Sequence, residues 1–146
     1  GVSALPPGKG QARQVRGQDD AALRVVELGA GTGVCSAALA RILGGGCRVL
    51  ATDLALALPL IEDTLQRNGL NGLGRTVESA ELDWSDVASP VASMQGTAWQ
   101  RLDEADLVIG ADLSYSDRLD PLLFAVLRRA LRSGAVALLA HQHRGG

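Results

Sequence analysis

The sequence predicts a doubly wound α/β domain, in which helices cover both faces of a parallel sheet. Short apolar runs typical of strands alternate five times with segments of helical spacing. The first of these runs leads directly into a glycine-rich turn at residues 29–33, which opens a helix. With 146 residues and 47% hydrophobic content, the chain is long enough to form one domain with a sizeable core.

The first half of the chain predicts two strand–helix units. The predicted ranges are residues 24–28 for the first strand, 34–43 for its helix, 48–52 for the second strand, which ends at Asp53, and 58–68 for the second helix. The consecutive glycines at 44–46 end the first helix, and Gly69 ends the second. Pro59 fits the second helix because it falls in the first turn, where a missing N–H is tolerated.

The second half predicts further strands and one long helix. The predicted ranges are residues 75–82 for the third strand, 105–111 for the fourth, 116–132 for the helix and 135–140 for the fifth strand. The third strand is the more polar and is expected near a sheet edge, whereas the apolar fourth strand is expected at the buried centre. Residues 86–102 predict a loop with a short helix, because Pro90 and Gly96 interrupt them. Apolar side chains at helical spacing give the long helix one buried face, formed by Leu119, Leu122, Leu123, Val126 and Leu127.

Residues 1–20 carry Pro6, Pro7 and few apolar side chains. They predict a flexible N-terminal arm ahead of a folded domain at residues 21–146. The chain begins with Gly1 rather than methionine, so an earlier loss of an organelle-targeting peptide stays open.

Composition argues against several classes of protein. A net charge of −2 and arginines scattered along the chain give no basis for nucleic-acid binding. No apolar run approaches the roughly 20 residues that span a bilayer, so no membrane partner is expected. Cys35 and Cys47 lack the spacing of metal ligands and are expected to be reduced and buried, as suits a cytoplasmic protein.

The glycine turn predicts a cofactor site. Glycine has no Cβ, so a ligand can lie against bare backbone, and the N–H groups at the start of the helix favour an anionic group. Nicotinamide and flavin proteins place their third glycine at the position that Val34 occupies here. The alternate spacing of Gly29, Gly31 and Gly33 suits S-adenosylmethionine better, because that ligand presents a carboxylate and no pyrophosphate. A purely structural tight turn is the alternative.

Acidic residues after the next two strands support a nucleoside ligand. Asp53 follows Gly33 by 20 residues and can accept hydrogen bonds from both ribose hydroxyls. Its alternative role is the N-cap of the following helix. Asp83 can accept a hydrogen bond from an adenine amino group while Trp84 covers the ring, or the pair can be a turn acid beside a core tryptophan.

Asp112 and Tyr115 follow the fourth strand, where ligands of open α/β sheets bind. They flank a place where a cation and a nucleophile could meet. The alternatives are a helix N-terminal acid for Asp112 and core packing for Tyr115. His141 and His143 share a strand face, but no third ligand is evident, so no metal site is predicted.

Taken together, these residues resemble the family-16 methyltransferases, the seven-strand lysine methyltransferases that modify single non-histone proteins. The matching blocks are residues 26–33, 51–54, 58–60 with Asn68, 82–84, and 106–112 followed by Tyr115. The glycine turn is shared by many class I methyltransferases, whereas the order of the later blocks is more specific. The resemblance implies a Rossmann-like sheet of the class I methyltransferase type.

The resemblance also implies a reaction and a set of site residues. S-adenosyl-L-methionine would donate a methyl group to a protein that presents a lysine, leaving S-adenosyl-L-homocysteine. The implied catalytic residues are Asp112 and Tyr115. The implied cofactor-binding residues are Glu27, Gly29, Ala30, Gly31, Thr32 and Gly33 at the methionine end, Asp53 and Leu54 at the ribose, Asp83 and Trp84 at the adenine, and Asp112.

The sequence departs from the family pattern in two places. The family carries a tryptophan-containing block before the glycine turn, whereas the first tryptophan here is Trp84. The family also continues into a final hairpin, so a domain truncated after the fifth strand is expected. Two other functions therefore stay open: methylation of a small molecule or nucleic acid, and cofactor binding without catalysis.

Overall fold

The computed structural model describes residues 22–72, 76–113 and 118–142. The strands are β1 (Leu23–Leu28), β2 (Cys47–Asp53), β3 (Val77–Glu81), β4 (Leu107–Ala111) and β5 (Val136–Ala140). The helices are α1 (Val34–Leu43), α2 (Leu58–Arg67), α3 (Ala98–Asp103) and α4 (Asp120–Arg132). The predicted N-terminal arm lies outside the described residues.

The described strands form one parallel sheet in the order β3-β2-β1-β4-β5. In the centre, Val26 of β1 pairs with Leu50 of β2 on one side and with Val108 of β4 on the other. The chain proceeds in one direction from β1 to β3 and in the other from β4 to β5. The predicted doubly wound α/β fold is therefore confirmed, with β3 at an edge as expected, and its topological switch point lies between β1 and β4.

The core lies on both faces of this sheet because successive strand residues point to opposite sides. Val25 packs with Ile61 of α2 in one buried cluster. Its neighbour Val26 belongs to the other cluster, together with Trp99 of α3 and Val126 of α4. Strand β1 is thus buried on both faces, as expected for a central strand of a parallel sheet.

Helix α4 begins at Asp120, four residues later than predicted. Residues 118 and 119 lie in a turn, and residues 116 and 117 are outside the described part of the chain. Of the predicted apolar face, Leu123, Val126 and Leu127 are buried. The other two leucines of that predicted face, Leu119 and Leu122, line the cavity that is described below. The segment 86–102 contains two 3-10 turns and the short helix α3.

The prediction that both cysteines are buried is wrong for Cys35. Cys47 is fully buried at the start of β2, whereas Cys35 is exposed; both thiols are free. Cys35 is the second residue of α1, and the inward positions of that helix belong to Ser36, Ala37 and Ala40. Helical periodicity therefore directs Cys35 towards solvent. No helix in the described part of the chain is both long and apolar enough to cross a membrane.

Candidate functional site

A cavity of about 360 Å³ lies at the carboxyl ends of the strands, beside the switch point. Its volume falls within the range of small-molecule sites. Elements distant in sequence contribute to it, because parallel strands all end at the same edge of the sheet. The predicted site residues that line the cavity are Gly29, Gly31, Asp53, Leu54, Asp83, Trp84 and Asp112.

The three glycines of the turn have left-handed φ angles of +57°, +58° and +75°, but their surroundings differ. A Cβ on Gly29 would lie 2.6 Å from a methyl carbon of Leu113, and one on Gly33 would lie 2.9 Å from Ile61 of α2. A Cβ on Gly31 would meet no atom within 4 Å. Gly31 therefore gives a ligand access to the backbone, whereas the other two allow close packing of the protein itself.

The carboxylate of Asp53 connects the glycine turn to the end of β2. One oxygen accepts a hydrogen bond from the N–H of Gly31 at 2.7 Å, and the other accepts from the N–H of Leu54 at 2.7 Å. An ionised carboxylate has about four acceptor positions, so these bonds leave capacity for two donors from a ligand. Asp53 does not fill its alternative role as the N-cap of the next helix, since α2 has Ala57 at its N-cap.

Glu27 does not line the cavity. Its side chain is 3% exposed and accepts hydrogen bonds from the backbone N–H of Ser36, at 3.0 Å, and from the Ser36 hydroxyl. Burial raises the pKa of Glu27 and outweighs the opposing effect of the Ser36 hydrogen bonds. Because Ser36 lies in the first turn of α1, the Glu27 carboxylate satisfies one of the N–H groups that a helix start leaves unpaired.

Ala30, Thr32 and Gly33 shape the turn without lining the cavity. The N–H of Ala30 donates to the carbonyl of Thr52 at 2.9 Å, and the N–H of Gly33 donates to the carbonyl of Ala30 at 2.8 Å. Thr32 is exposed. The turn is thus fixed to β2 through its own backbone.

Asp83 and Trp84 form another part of the cavity lining. One oxygen of Asp83 accepts from the N–H and the hydroxyl of Ser85, at 2.9 and 2.7 Å, and caps the 3-10 turn that follows. These bonds lower the pKa of Asp83, so its carboxylate is charged at neutral pH. The half-buried indole of Trp84 packs against the core and also faces the cavity. Asp83 therefore caps the turn and also faces the cavity.

Asp112 is in a left-handed conformation, with φ of +52°, which is the one such angle at a non-glycine residue in the described chain. Its N–H donates to the carbonyl of Ala140 at 2.9 Å, and its carboxylate accepts from the N–H of Gln142 at 3.0 Å. His141 lies 4.0 Å from the same oxygen. The end of β5 and the residues after it therefore hold Asp112 at the rim of the cavity. Tyr115 lies outside the described residues.

Sequence reasoning missed the apolar part of the lining. Leu113, Leu119 and Leu122 all face the cavity, although the latter two had been assigned to the core face of a helix. Leucine carries no chemical signature of a site. The available signal was position, since all three lie in the segment that follows the end of β4.

The charges around the cavity favour a ligand with donors or positive charge. Three carboxylates line it, those of Asp53, Asp83 and Asp112, and no lysine or arginine does so among the described residues. A pyrophosphate would be poorly matched to this lining. The described residues also contain no group of three or more His, Cys, Asp and Glu side chains that could hold a metal ion.

Comparison with known sequences identifies relatives over most of the chain. The family model described as lysine methyltransferase matches residues 9–145. Protein N-lysine methyltransferase METTL21A from Danio rerio is 31% identical over 117 residues, which are 80% of this chain and 48% of that protein. EEF1A lysine methyltransferase 3 from Mus musculus is 35% identical over 121 residues, covering 83% and 46%. Protein-lysine N-methyltransferase EFM3 from Chaetomium thermophilum is 30% identical over 104 residues, covering 71% and 30%. The chain thus spans about half the length of these relatives, or less.

Comparison with solved structures supports the fold. An O-methyltransferase family protein from Burkholderia thailandensis aligns with a TM-score of 0.59 at 24% identity, over 81% of this chain and 32% of that one. The S-adenosylmethionine-dependent methyltransferase SibL in its apo form aligns with a TM-score of 0.55 at 24% identity, over 81% and 30%.

Proposed function

Because the chain belongs to the lysine methyltransferase family, we propose that it transfers a methyl group from S-adenosylmethionine to a lysine side chain of a non-histone protein. One observation carries the proposal beyond family membership. The open Gly31 turn, the carboxylates of Asp53 and Asp83, and the ring of Trp84 all line one cavity. These groups match the amino-acid, ribose and adenine parts of that cofactor in turn.

The proposed binding mode assigns one role to each group of lining residues. Asp53 accepts hydrogen bonds from the ribose hydroxyls while it continues to hold the N–H of Gly31. Asp83 accepts from the adenine amino group at the oxygen that Ser85 does not occupy, and Trp84 covers the ring face. The acidic lining suits a ligand that carries a sulfonium and an ammonium group, and burial of both would strengthen the attraction.

Asp112 and Tyr115 belong to the acceptor side of this proposal. When bound, S-adenosylmethionine would supply a methyl group on a positively charged sulfur. A neutral lysine amine would attack the methyl carbon in line as the carbon–sulfur bond breaks and S-adenosylhomocysteine leaves. A lysine ammonium must first lose its proton and shed water, so much of the rate enhancement comes from alignment. Asp112, at the cavity rim, orients the amine or the ammonium group of the cofactor, and Tyr115 is assigned a catalytic role on the family's motif alone.

The experiment that tests this function is transfer of a radioactive methyl group from labelled S-adenosylmethionine to proteins of a cell extract. The label is expected in hydrolysed protein as methyl-lysine. Asp112→Ala and Tyr115→Ala should each abolish transfer, while S-adenosylhomocysteine still binds. Label found only in nucleic acid or small molecules would overturn the lysine assignment. Cofactor binding without any transfer would support the non-catalytic alternative instead.

A further inference from the structure

We infer that Leu113 is a positioning residue, which holds Asp112 in its left-handed conformation at the cavity rim. The inference rests on the proposed function only in treating Asp112 as a group of the acceptor side. Leu113 is 6% exposed and belongs to neither the glycine turn nor a described helix. Its side chain nevertheless packs against both the glycine turn and β4.

The side chain of Leu113 fills a slot that two glycines create. One of its methyl carbons occupies the space beside Gly29, where a Cβ would come within 2.6 Å. Its other methyl carbon lies against Gly110 of β4, where a Cβ would come within 2.4 Å. Trp84 borders the Gly29 side of this slot, at 3.7 Å from the same Cβ position. Side chains at 29 or 110 would therefore displace Leu113.

This slot matters because of Asp112, the residue that precedes Leu113 in the sequence. A left-handed conformation costs energy at a non-glycine residue, although less at aspartate than at most, and it is fixed best where the surroundings hold it on more than one side. The backbone of Ala140 and Gln142 fixes Asp112 from the side of β5. Leu113, anchored between Gly29 and Gly110, fixes it from the opposite side. Removing that anchor lets the backbone at Asp112 relax and turns its carboxylate away from Gln142.

The N–H of Gln142 provides a readout that does not depend on activity or ligand. Its resonance in an NMR spectrum of the full chain reports the hydrogen bond to Asp112, and Asp112→Ala defines its position without that bond. Leu113→Ala is expected to move this resonance most of the way to the Asp112→Ala position. Leu113→Met, which conserves volume, should leave it where the wild-type chain has it.

Leu102→Ala is the matched control, because Leu102 is fully buried in the same core cluster and does not line the cavity. It should destabilise the chain without moving the Gln142 resonance. A Gln142 resonance that stays at its wild-type position in Leu113→Ala would overturn the inference, as would an equal movement in Leu102→Ala. If Leu113→Ala does not fold, Leu113→Val, which removes a single methylene group, is read in the same way.

A double-mutant cycle tests the slot itself. Gly110→Ala should expel Leu113 and move the Gln142 resonance as Leu113→Ala does. In the Leu113→Ala background the same change should add little, because the new methyl group then has room. Additive effects of the two changes would contradict a shared slot.

Titration with S-adenosylhomocysteine connects the inference to binding. Leu113→Ala is expected to raise the dissociation constant about tenfold, because Leu113 lines the cavity, while Leu102→Ala leaves it unchanged. If the wild-type chain binds none of this ligand, the proposed function fails. The Gln142 resonance still decides the role of Leu113, since it is read without ligand.

Discussion

Among single residues, Glu27 has a structural role that its position in the sequence does not show. Its buried carboxyl group accepts a hydrogen bond from Ser36 of α1, which lies 9 residues later in the sequence. Its acidic side chain at the end of β1 had been expected to line the methionine end of the cofactor site. The structure places it beneath the turn, where it supports the start of α1. Its contribution to any ligand site is therefore indirect, through the orientation of the turn above it.

The raised pKa of Glu27 makes a prediction about stability and pH. The folded chain holds this proton more tightly than the unfolded chain, whose reference pKa is 4.5. The stability that Glu27 contributes is therefore fully present below that pH and is lost as the pH rises through the raised value. In urea unfolding, the free-energy difference between wild type and Glu27→Gln should fall above pH 4.5, by at most about 1.4 kcal/mol per pH unit.

Ser36→Ala tests how the Ser36 hydroxyl affects the pKa of Glu27. The Ser36 hydroxyl lowers the pKa of Glu27, so its removal should extend the loss of stability to higher pH. A wild-type to Glu27→Gln difference that is independent of pH would contradict the burial argument.

Gly31 and Gly33 make a second residue-scale prediction, because they share a left-handed backbone and differ in surroundings. Alanine at either position should cost about 1–2 kcal/mol in unfolding free energy from backbone strain. Gly33→Ala should cost more, since its methyl group would meet Ile61. Gly31→Ala should instead weaken S-adenosylhomocysteine binding more strongly, because its methyl group would enter open space at the cavity. Urea unfolding and calorimetric titration of both variants give the two rankings, and a reversal of either one would contradict these roles.

At the scale of elements, Arg129 joins α4 to α3 and to the turn that contains Ala92. Its guanidinium makes two hydrogen bonds of 2.7 Å to Asp103 at the end of α3, donates to the carbonyl of Ala92, and lies 5.2 Å from the centre of the Trp99 ring. A planar fork can make these contacts together, and an ammonium group cannot.

Arg129→Lys is therefore expected to lower the free energy of unfolding by about 1–2 kcal/mol, a value reduced because solvent reaches Asp103. The control is Arg67→Lys, whose partner Asp63 lies on the surface of α2 and whose pair is largely exposed. That change should cost clearly less than Arg129→Lys, because solvent screens the exposed pair. Equal losses in thermal or urea unfolding would contradict the bracing role of Arg129.

The elements that were predicted correctly have local signals at their ends. The bounds of α1 match the prediction because left-handed Gly33 and Gly44 flank it. Helix α4 was predicted to begin too early, because Leu119 continues the apolar spacing although it lies in a turn. The overlooked signal was Pro121, which is favoured in the first turn of a helix and places its start near Asp120.

The site residues that could be predicted are those whose side chains have a recognisable chemical role. Strand-end acids such as Asp53, Asp83 and Asp112 could be placed at one edge of the sheet, and the structure brings them to one cavity. The packing that holds them was not predictable, because Leu113 packs against Gly29, which is distant in the sequence, and no local pattern encodes that contact. The structural role of Glu27 was likewise hidden, since the sequence does not show on which side of a strand end a carboxylate is buried.

Across the whole molecule, topology explains why one cavity collects these groups. The reversal of strand order between β1 and β4 opens a crevice at the carboxyl ends of the sheet. The glycine turn after β1, the acid that ends β2, the acid after β3 and the left-handed Asp112 after β4 all face it. Family membership and this arrangement together support S-adenosylmethionine as the ligand of the cavity.

The most direct test is calorimetric titration of S-adenosylhomocysteine into the chain and into Asp53→Ala, with Asp63→Ala as an exposed-acid control. The proposal predicts one binding site in the wild-type chain and in Asp63→Ala, and a loss of about 100-fold in affinity in Asp53→Ala. A chain that circular dichroism shows to be folded and that binds no S-adenosylhomocysteine, or binds it equally well without Asp53, would contradict the proposed function of the cavity.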